Sequence, residues 1–340
     1  MERKKYVDIA KTIGILWVVT GHLFMWLQVP PKYESVLKLA HMFHMPLFFL
    51  LAGLNLKLAD EHPFKTAFFK RLNGIAKPYI IWCLVISGYN LVVRYELYHM
   101  IDMGIMGQTV IGPLVFAGNF VGAWFFPCLF WSQMLAALAI MYFKPKPRTL
   151  VFFALGIIGM SLPLILPGNI FSIIHKFHRL DVVLVACLLI GIGYTIKDKN
   201  IDYGNNLYAL AALVIAILSY KFNSLVNMNE NQYGNMALFL TGALSGSYLV
   251  MYAARKIENV PYVSGVLGYV GKTTMWILFF HEAISRFLNY ILGATKADGV
   301  IAYRLILYVI IPVALPPLAI YLYNWVKAHR PHFKAKLKTN

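Results

Sequence analysis

The sequence predicts an all-α membrane protein: a single polytopic bundle of about ten transmembrane helices, with no fused soluble domain and with N- and C-termini in the cytoplasm. Three observations predict it: an apolar composition, a series of long apolar runs, and basic residues gathered on one side of those runs. Of the 340 residues, 59% are hydrophobic and only 13% are charged. An average soluble domain is about 25% charged. Lys and Arg number 31 against 14 Asp and Glu, a formal charge of +17. Sparse charge with a large positive excess excludes a soluble nucleic-acid binder, which needs far more polar surface. It also excludes a disordered chain, which would lack the aliphatic and aromatic residues, and a soluble globular enzyme.

A spanning helix needs ~20 mostly apolar residues. Candidate runs lie at 9–29, 41–57, 77–93, 124–143, 150–166, 181–196, 206–221, 236–253, 273–292 and 303–326. The first follows Met1-Glu2-Arg3-Lys4-Lys5 directly and has no small-residue cleavage site, so it is expected to be a retained span and not a removed signal. The second carries Pro46 near its start, where a missing N–H costs little. The longest connection, 94–123, holds Gly104, Gly107, Gly112, Pro113, Gly118 and Gly122. It suits a re-entrant or interfacial segment, which needs cover from protein or a wet cavity. Cys83, Cys128 and Cys187 all sit in apolar runs with no C-x-x-C spacing, which predicts buried, inert thiols.

The basic residues set the orientation. With the N-terminus inside, the outer connections hold only Lys32, Lys38, Arg94, Lys176, Arg179, Lys221, Lys296 and Arg304. Arg286 falls within the ninth run, and the other 22 of the 31 basic residues fall on the inner side. That excess follows the positive-inside rule and asks for an even number of spans. Membrane topology therefore explains the charge, and no nucleic acid is needed.

Ionisable residues within spans are costly and point to function. In the first run Asp8 and Lys11 lie near the inner end and His22 lies deep. Eleven residues at ~100° each bring Lys11 and His22 within ~20° of one face, ~16 Å apart along the axis. Asp8 is placed to pair with Lys11 at i, i+3. The second run places His41 and His44 on one face at i, i+3; no Asp, Glu or Cys lies nearby to complete a metal site, so no metal is expected. The ninth run carries His281, Glu282 and Arg286. Glu282 and Arg286 at i, i+4 can neutralise each other, and a His beside a carboxylate suits proton transfer. His175 and His178 fall in an outer connection and are expected to be solvated or interfacial. Lys65, Lys70, Arg71 and Lys77 precede the third span; they suit an anchor on anionic lipid, with Arg71 the first candidate for a ligand phosphate.

At these residues the sequence resembles the acyltransferase-3 family of bacterial membrane acyltransferases, and most of all its stand-alone, fucose 4-O-acetylase-like branch. The resemblance rests on Tyr6-Val7-Asp8 through Gly21-His22, on F-H-M-P-L-F-F-L-L-A-G from Phe43 to Gly53, and on F-x-K-R from Phe68 to Arg71 with Lys77-Pro78-Tyr79. It continues through Trp124-Phe125-Phe126 with Leu129, Asp181 to Gly191, and L-G-x-x-G-K-x-T-M from Leu267 to Met275 with His281 following. The family pattern of an Arg, ten residues and a His keeps its spacing here, but Lys11 replaces the Arg. A lysine keeps the charge and loses the bidentate fork.

The resemblance implies a multi-pass protein of the bacterial cytoplasmic membrane. It would transfer an acyl group, acetyl by default, from cytoplasmic acyl-CoA to a hydroxyl of an extracytoplasmic or lipid-linked glycan, with a cell-envelope polymer synthesis complex as an expected partner. On that pattern His22 is the base or acyl carrier, with His281, Glu282 and His44 lining the same centre. Lys11, Asp8, Lys70 and Arg71 are the candidates for holding the donor, and Trp124, Arg286 and His41 the candidates for contacting the acceptor. The competing reading is a glycan transporter, flippase or polysaccharide exporter, which midplane ionisable groups also suit. The absence of a visible inverted repeat counts against it.

Overall fold

The computed structural model describes residues 4–26, 34–58, 62–98, 104, 107–116, 124–199, 201–292 and 302–336. Arg3, Lys32, Lys296, Lys338, Gly118 and Gly122 lie outside the described residues. Every regular element among the described residues is helical; β-structure is limited to two isolated bridges, Phe116 with Phe177 and Asn227 with Gln232. The helices are α1 (Lys5–Trp26), α2 (Glu34–Leu54), α3 (Pro63–Arg71), α4 (Lys77–Tyr98), α5 (Gly112–Val115), α6 (Phe125–Tyr142), α7 (Pro145–Ile165), α8 (Gly168–Lys176), α9 (Leu180–Ile196), α10 (Asn206–Phe222), α11 (Met236–Ile257), α12 (Val263–Lys272), α13 (Thr274–Leu292) and α14 (Ala302–Lys336).

In their described residues all ten apolar runs are mainly helical. Seven helical stretches are long and apolar enough to cross a membrane: Lys5–Phe24, Glu34–Leu54, Pro63–Val92, Phe125–Tyr142, Pro145–Ile165, Met236–Ile257 and Ile306–His329. The pair α12 and α13 makes an eighth if its 82° bend is read as one broken span. α9 and α10 are apolar but have 17 residues each, ~26 Å at 1.5 Å per residue against a hydrocarbon core of ~30 Å. The two differ in surroundings. α9 is buried nearly all round, from Asp181 through Gly193, whereas α10 leaves Leu207, Leu210, Leu213, Val214, Ile217 and Leu218 exposed. The connection after α4 contains a π-helical turn, Gly107–Ile111, running into α5. Cys83, Cys128 and Cys187 are buried and free, as their apolar settings predict.

The chain divides into two compact units, Met1–Ala40 with Val250–Asn340, and His41–Leu249. In the first unit α1 packs on α12, α13 and α14. The approach of α12 to α1 depends on glycine: a Cβ on Gly271 would fall against the Asp8 carbonyl. Thr12 strengthens this crossing by donating its hydroxyl to the Leu267 carbonyl. Two residues after Gly271 the helix breaks at Thr273, whose own hydroxyl donates to the Val270 carbonyl, and α13 leaves in a new direction. In the second unit α9 is central and packs on α6, α7 and α8. Its approach to α2 is also set by small residues. A Cβ on Gly53 would meet the Ile190 carbonyl, and one on Gly193 would meet the Leu50 carbonyl. Small residues that let backbones close up are the usual means of packing helices where lipid removes the hydrophobic drive.

Candidate functional site

The first unit holds the candidate centre. Asp8 is buried near the start of α1, and Lys11 reaches its Oδ1 at 3.3 Å, the pairing expected of i, i+3. His22 lies eleven residues further along the same face. α13 presents Ile277, His281 and Ser285 as a buried stripe at i, i+4 and i+8, the face that a helix turns inward. The stripe carries His281 to His22: His22 Nδ1 and His281 Nε2 are 2.8 Å apart, with the rings stacked at 5.0 Å and 27°.

The remaining nitrogen of His281 fixes the proton positions. His281 Nδ1 lies 3.1 Å from the Ile277 carbonyl oxygen and 2.9 Å from that of Leu278. Carbonyl oxygens only accept, so Nδ1 carries the proton and donates it to them. With both rings neutral, His281 Nε2 is then an acceptor, and the proton between the rings belongs to His22 Nδ1. His22 Nε2 is left as the unprotonated nitrogen. His281 is 2% exposed, and His22 is only partly buried. The arrangement is a relay: a buried imidazole, held by its own helix's backbone, holds a more accessible one in a single tautomer.

Glu282 does not take part in that relay. Its Oε1 accepts from Arg286 Nη2 at 2.6 Å and from Nε at 3.1 Å. This is the i, i+4 ion pair, with Arg286 62% and Glu282 24% exposed in their side chains. The expectation that a carboxylate sets the tautomer of His281 is therefore replaced by two backbone carbonyls. The resemblance implied one centre for His22 and His281; the direct ring-to-ring contact between them, across 259 residues of sequence, is what the structure adds.

The other candidates lie in the second unit. His44 is buried, and its ring meets that of His41 edge-on at 5.0 Å. Trp124, also buried, packs edge-on against Phe125 at 6.3 Å. Arg71 is 5% exposed. Its Nε donates to Gln133 Oε1 at 3.0 Å and its Nη1 to the Ala67 carbonyl at 3.2 Å, so two of its three nitrogens are committed to protein. Lys70 is exposed and makes no ion pair among the described residues. Among the described residues there is no group of three or more His, Cys, Asp or Glu placed to hold a metal.

The second unit also contains a polar cluster that sequence reasoning missed. His175, expected to be solvated or interfacial, faces the fully buried Asp181 at 2.8 Å through Nδ1, with Glu230 3.6 Å from Nε2. Arg179 donates to Asn229 Oδ1 and to the His175 carbonyl, and lies 3.8 Å from Glu230. Burial draws the Arg179 guanidinium below its ordinary pKa, and the Glu230 and Asp181 carboxylates act in the opposite direction. His178, partly exposed, also has protein partners: it meets the Leu114 carbonyl at 2.8 Å and accepts from Trp131 Nε1 at 3.1 Å. The sequence signal was weak because His178 and Arg179 both take left-handed backbone (φ 54° and 55°). That turn brings His175 to Asp181 at a spacing no helix would use.

No curated protein and no solved structure gives a significant match to the chain. A family model does: the acyltransferase domain of the acyltransferase-3 type matches residues 4–322. This covers nearly the whole chain and, with its helices long and apolar enough to cross a bilayer several times, supports a multi-pass membrane acyltransferase. The chain belongs to the acyltransferase-3 family.

Proposed function

We propose that this protein is an O-acetyltransferase of the bacterial cytoplasmic membrane, moving the acetyl group of cytoplasmic acetyl-CoA to a hydroxyl of an extracytoplasmic or lipid-linked glycan. In this reading ten helices span the bilayer with both termini inside, as the distribution of basic residues asks. The observation that carries the chemistry is the His22–His281 pair, which leaves His22 Nε2 unprotonated.

An unprotonated imidazole nitrogen does one of two things at a thioester. As a general base, Nε2 takes the proton of the acceptor hydroxyl while that oxygen attacks the carbonyl carbon. The C–S bond then breaks and the thiolate recovers the proton from the imidazolium. As a nucleophile, Nε2 attacks the carbonyl itself and the C–S bond breaks to release the thiolate; the acceptor hydroxyl then displaces imidazole from the acyl group and its proton passes to the thiolate. Both routes place positive charge on the His22 ring. His281 Nε2, accepting from His22 Nδ1–H, stabilises that charge and keeps the ring from turning. No carboxylate is required.

Lys11 supports the donor assignment. It lies on the His22 face, ~16 Å down the helix, a length suited to an extended pantetheine arm. Lys70 and the remaining Nη2 of Arg71 are the further cations proposed for the donor phosphates, with Asp8 positioning Lys11. His41, His44 and Trp124 are proposed on the acceptor side, together with Arg286. The test is the full-length protein in lipid nanodiscs with radiolabelled acetyl-CoA, scored for thioester hydrolysis and for transfer to glycan acceptors. Turnover that is lost on His22→Ala with normal membrane insertion supports the reading. Acetyl transfer unchanged in that variant overturns it, and glycan transport without acetyl-CoA consumption points to an exporter.

A further inference from the structure

A second site emerges where α7 begins and α9 ends, within the second unit. The Tyr194 ring receives two cations: the Arg148 guanidinium carbon lies 5.0 Å from its centroid and Lys197 Nζ lies 3.9 Å from it. Lys144 and Lys146 sit at the same end of α7 and Lys199 just beyond α9, all exposed. None of these five takes part in an ion pair among the described residues. Arg148 Nε is buried and has no hydrogen-bond partner.

Lys197 has a structural reason to be here. It caps the carbonyl end of α9, where the helix dipole favours a positive charge. Arg148 has no such reason. It lies in the first turn of α7, its N–H donating to the Lys144 carbonyl, where the dipole disfavours cations and attracts anions. A general excess of positive charge on this side follows from topology. It does not account for a guanidinium turned onto a ring shared with a second cation, with its Nε buried and unpaired. A single anion accepting from the terminal guanidinium nitrogens of Arg148 and facing the Lys197 ammonium would offset both cations.

We propose that Arg148 and Lys197, both set against the Tyr194 ring, form a binding site for a phosphate ester. The guanidinium supplies the planar fork that phosphate oxygens accept in pairs, and the ammonium supplies a point charge beside it. The phosphate belongs to an anionic phospholipid headgroup or to a soluble phosphoester. Recognition at this site does not depend on the acetyl-transfer reading.

The test measures the thermal unfolding midpoint of the full-length protein in phosphatidylcholine nanodiscs. One arm raises the mole fraction of phosphatidylglycerol; the other adds adenosine 3′,5′-bisphosphate. A saturable rise in the midpoint is expected in at least one arm, and the responding arm identifies the source. Arg148→Gln and Tyr194→Leu are each expected to raise the half-saturating concentration about tenfold, whereas Tyr194→Phe and the exposed control Lys176→Gln leave it unchanged. If Arg148→Gln does not insert, Lys197→Gln carries the same expectation. His22→Ala should bind as the wild type does, so loss of acetyl transfer and loss of this site are separable results. No saturable shift in either arm overturns the proposal, as does wild-type saturation in the Arg148→Gln or the Lys197→Gln protein.

Discussion

Two histidines of this protein are held in opposite ways. His281 in the first unit receives no carboxylate: its Nδ1 donates to the Ile277 and Leu278 carbonyls and its Nε2 faces His22. His175 in the second unit lies between Asp181 and Glu230, with Arg179 alongside. Carboxylates stand at both ring nitrogens of His175 and tie it to two neighbouring segments. Backbone carbonyls fix the tautomer and direction of His281 from within its own helix. The difference teaches that a ring oriented by its own backbone needs no carboxylate to set its tautomer. His22 is oriented and unprotonated at Nε2, whereas His175 is a clasp between the α8–α9 corner and the 227–232 turn.

The largest expected effect separates the two sites outright. His22→Ala should lower acetyl transfer by at least ~10³-fold, at the upper part of the range for losing a general base, with membrane insertion unchanged. His175→Ala, assayed per folded molecule, should retain transfer. Next, His281→Ala is expected to lower kcat by about 10²-fold with little change in KM. His281→Gln should recover part of it, because an amide oxygen still accepts from His22 Nδ1–H. A purely packing role for His281 would show the same loss in both variants.

The Asp181 cluster should answer in stability and not in turnover. Asp181→Ala removes the buried hydrogen-bond partner of His175 and is expected to destabilise the protein by about 2 kcal/mol, the scale for leaving a buried polar group without its partner. Thermal unfolding in detergent checks it. Asn205, whose side chain accepts from the Leu207 and Tyr208 N–H groups at the start of α10, should cost about 1 kcal/mol when changed to Ala. The smallest effect is expected of Glu282→Gln. Because that carboxylate is spent on Arg286, transfer should fall less than about threefold. A large fall would restore the carboxylate–histidine pairing that adjacency in sequence suggests.

What the sequence made legible was whatever helical periodicity controls. In their described residues the ten apolar runs are mainly helical, and the pairs Asp8–Lys11 and Glu282–Arg286 form at their i, i+3 and i, i+4 spacings. The ion pair was visible because both partners sit on one helix. The His22–His281 contact was not, because it depends on the break at Thr273 and on Gly271 closing against Asp8, both tertiary events. The Asp181 cluster stayed hidden for a similar reason: two consecutive left-handed residues bring His175 to it. Arg71 looked like a free phosphate ligand because nothing local announces Gln133, 62 residues away.

The central claim is that His281 holds His22 with its proton on Nδ1. Nitrogen-15 magnetic resonance of histidine-labelled protein in bilayers tests it most directly, with His22 assigned by the signals lost in His22→Gln. The account predicts a protonated Nδ1 and an unprotonated Nε2 on His22, and loss of that preference in His281→Ala. A His22 protonated at Nε2 alone in the wild-type protein would contradict it.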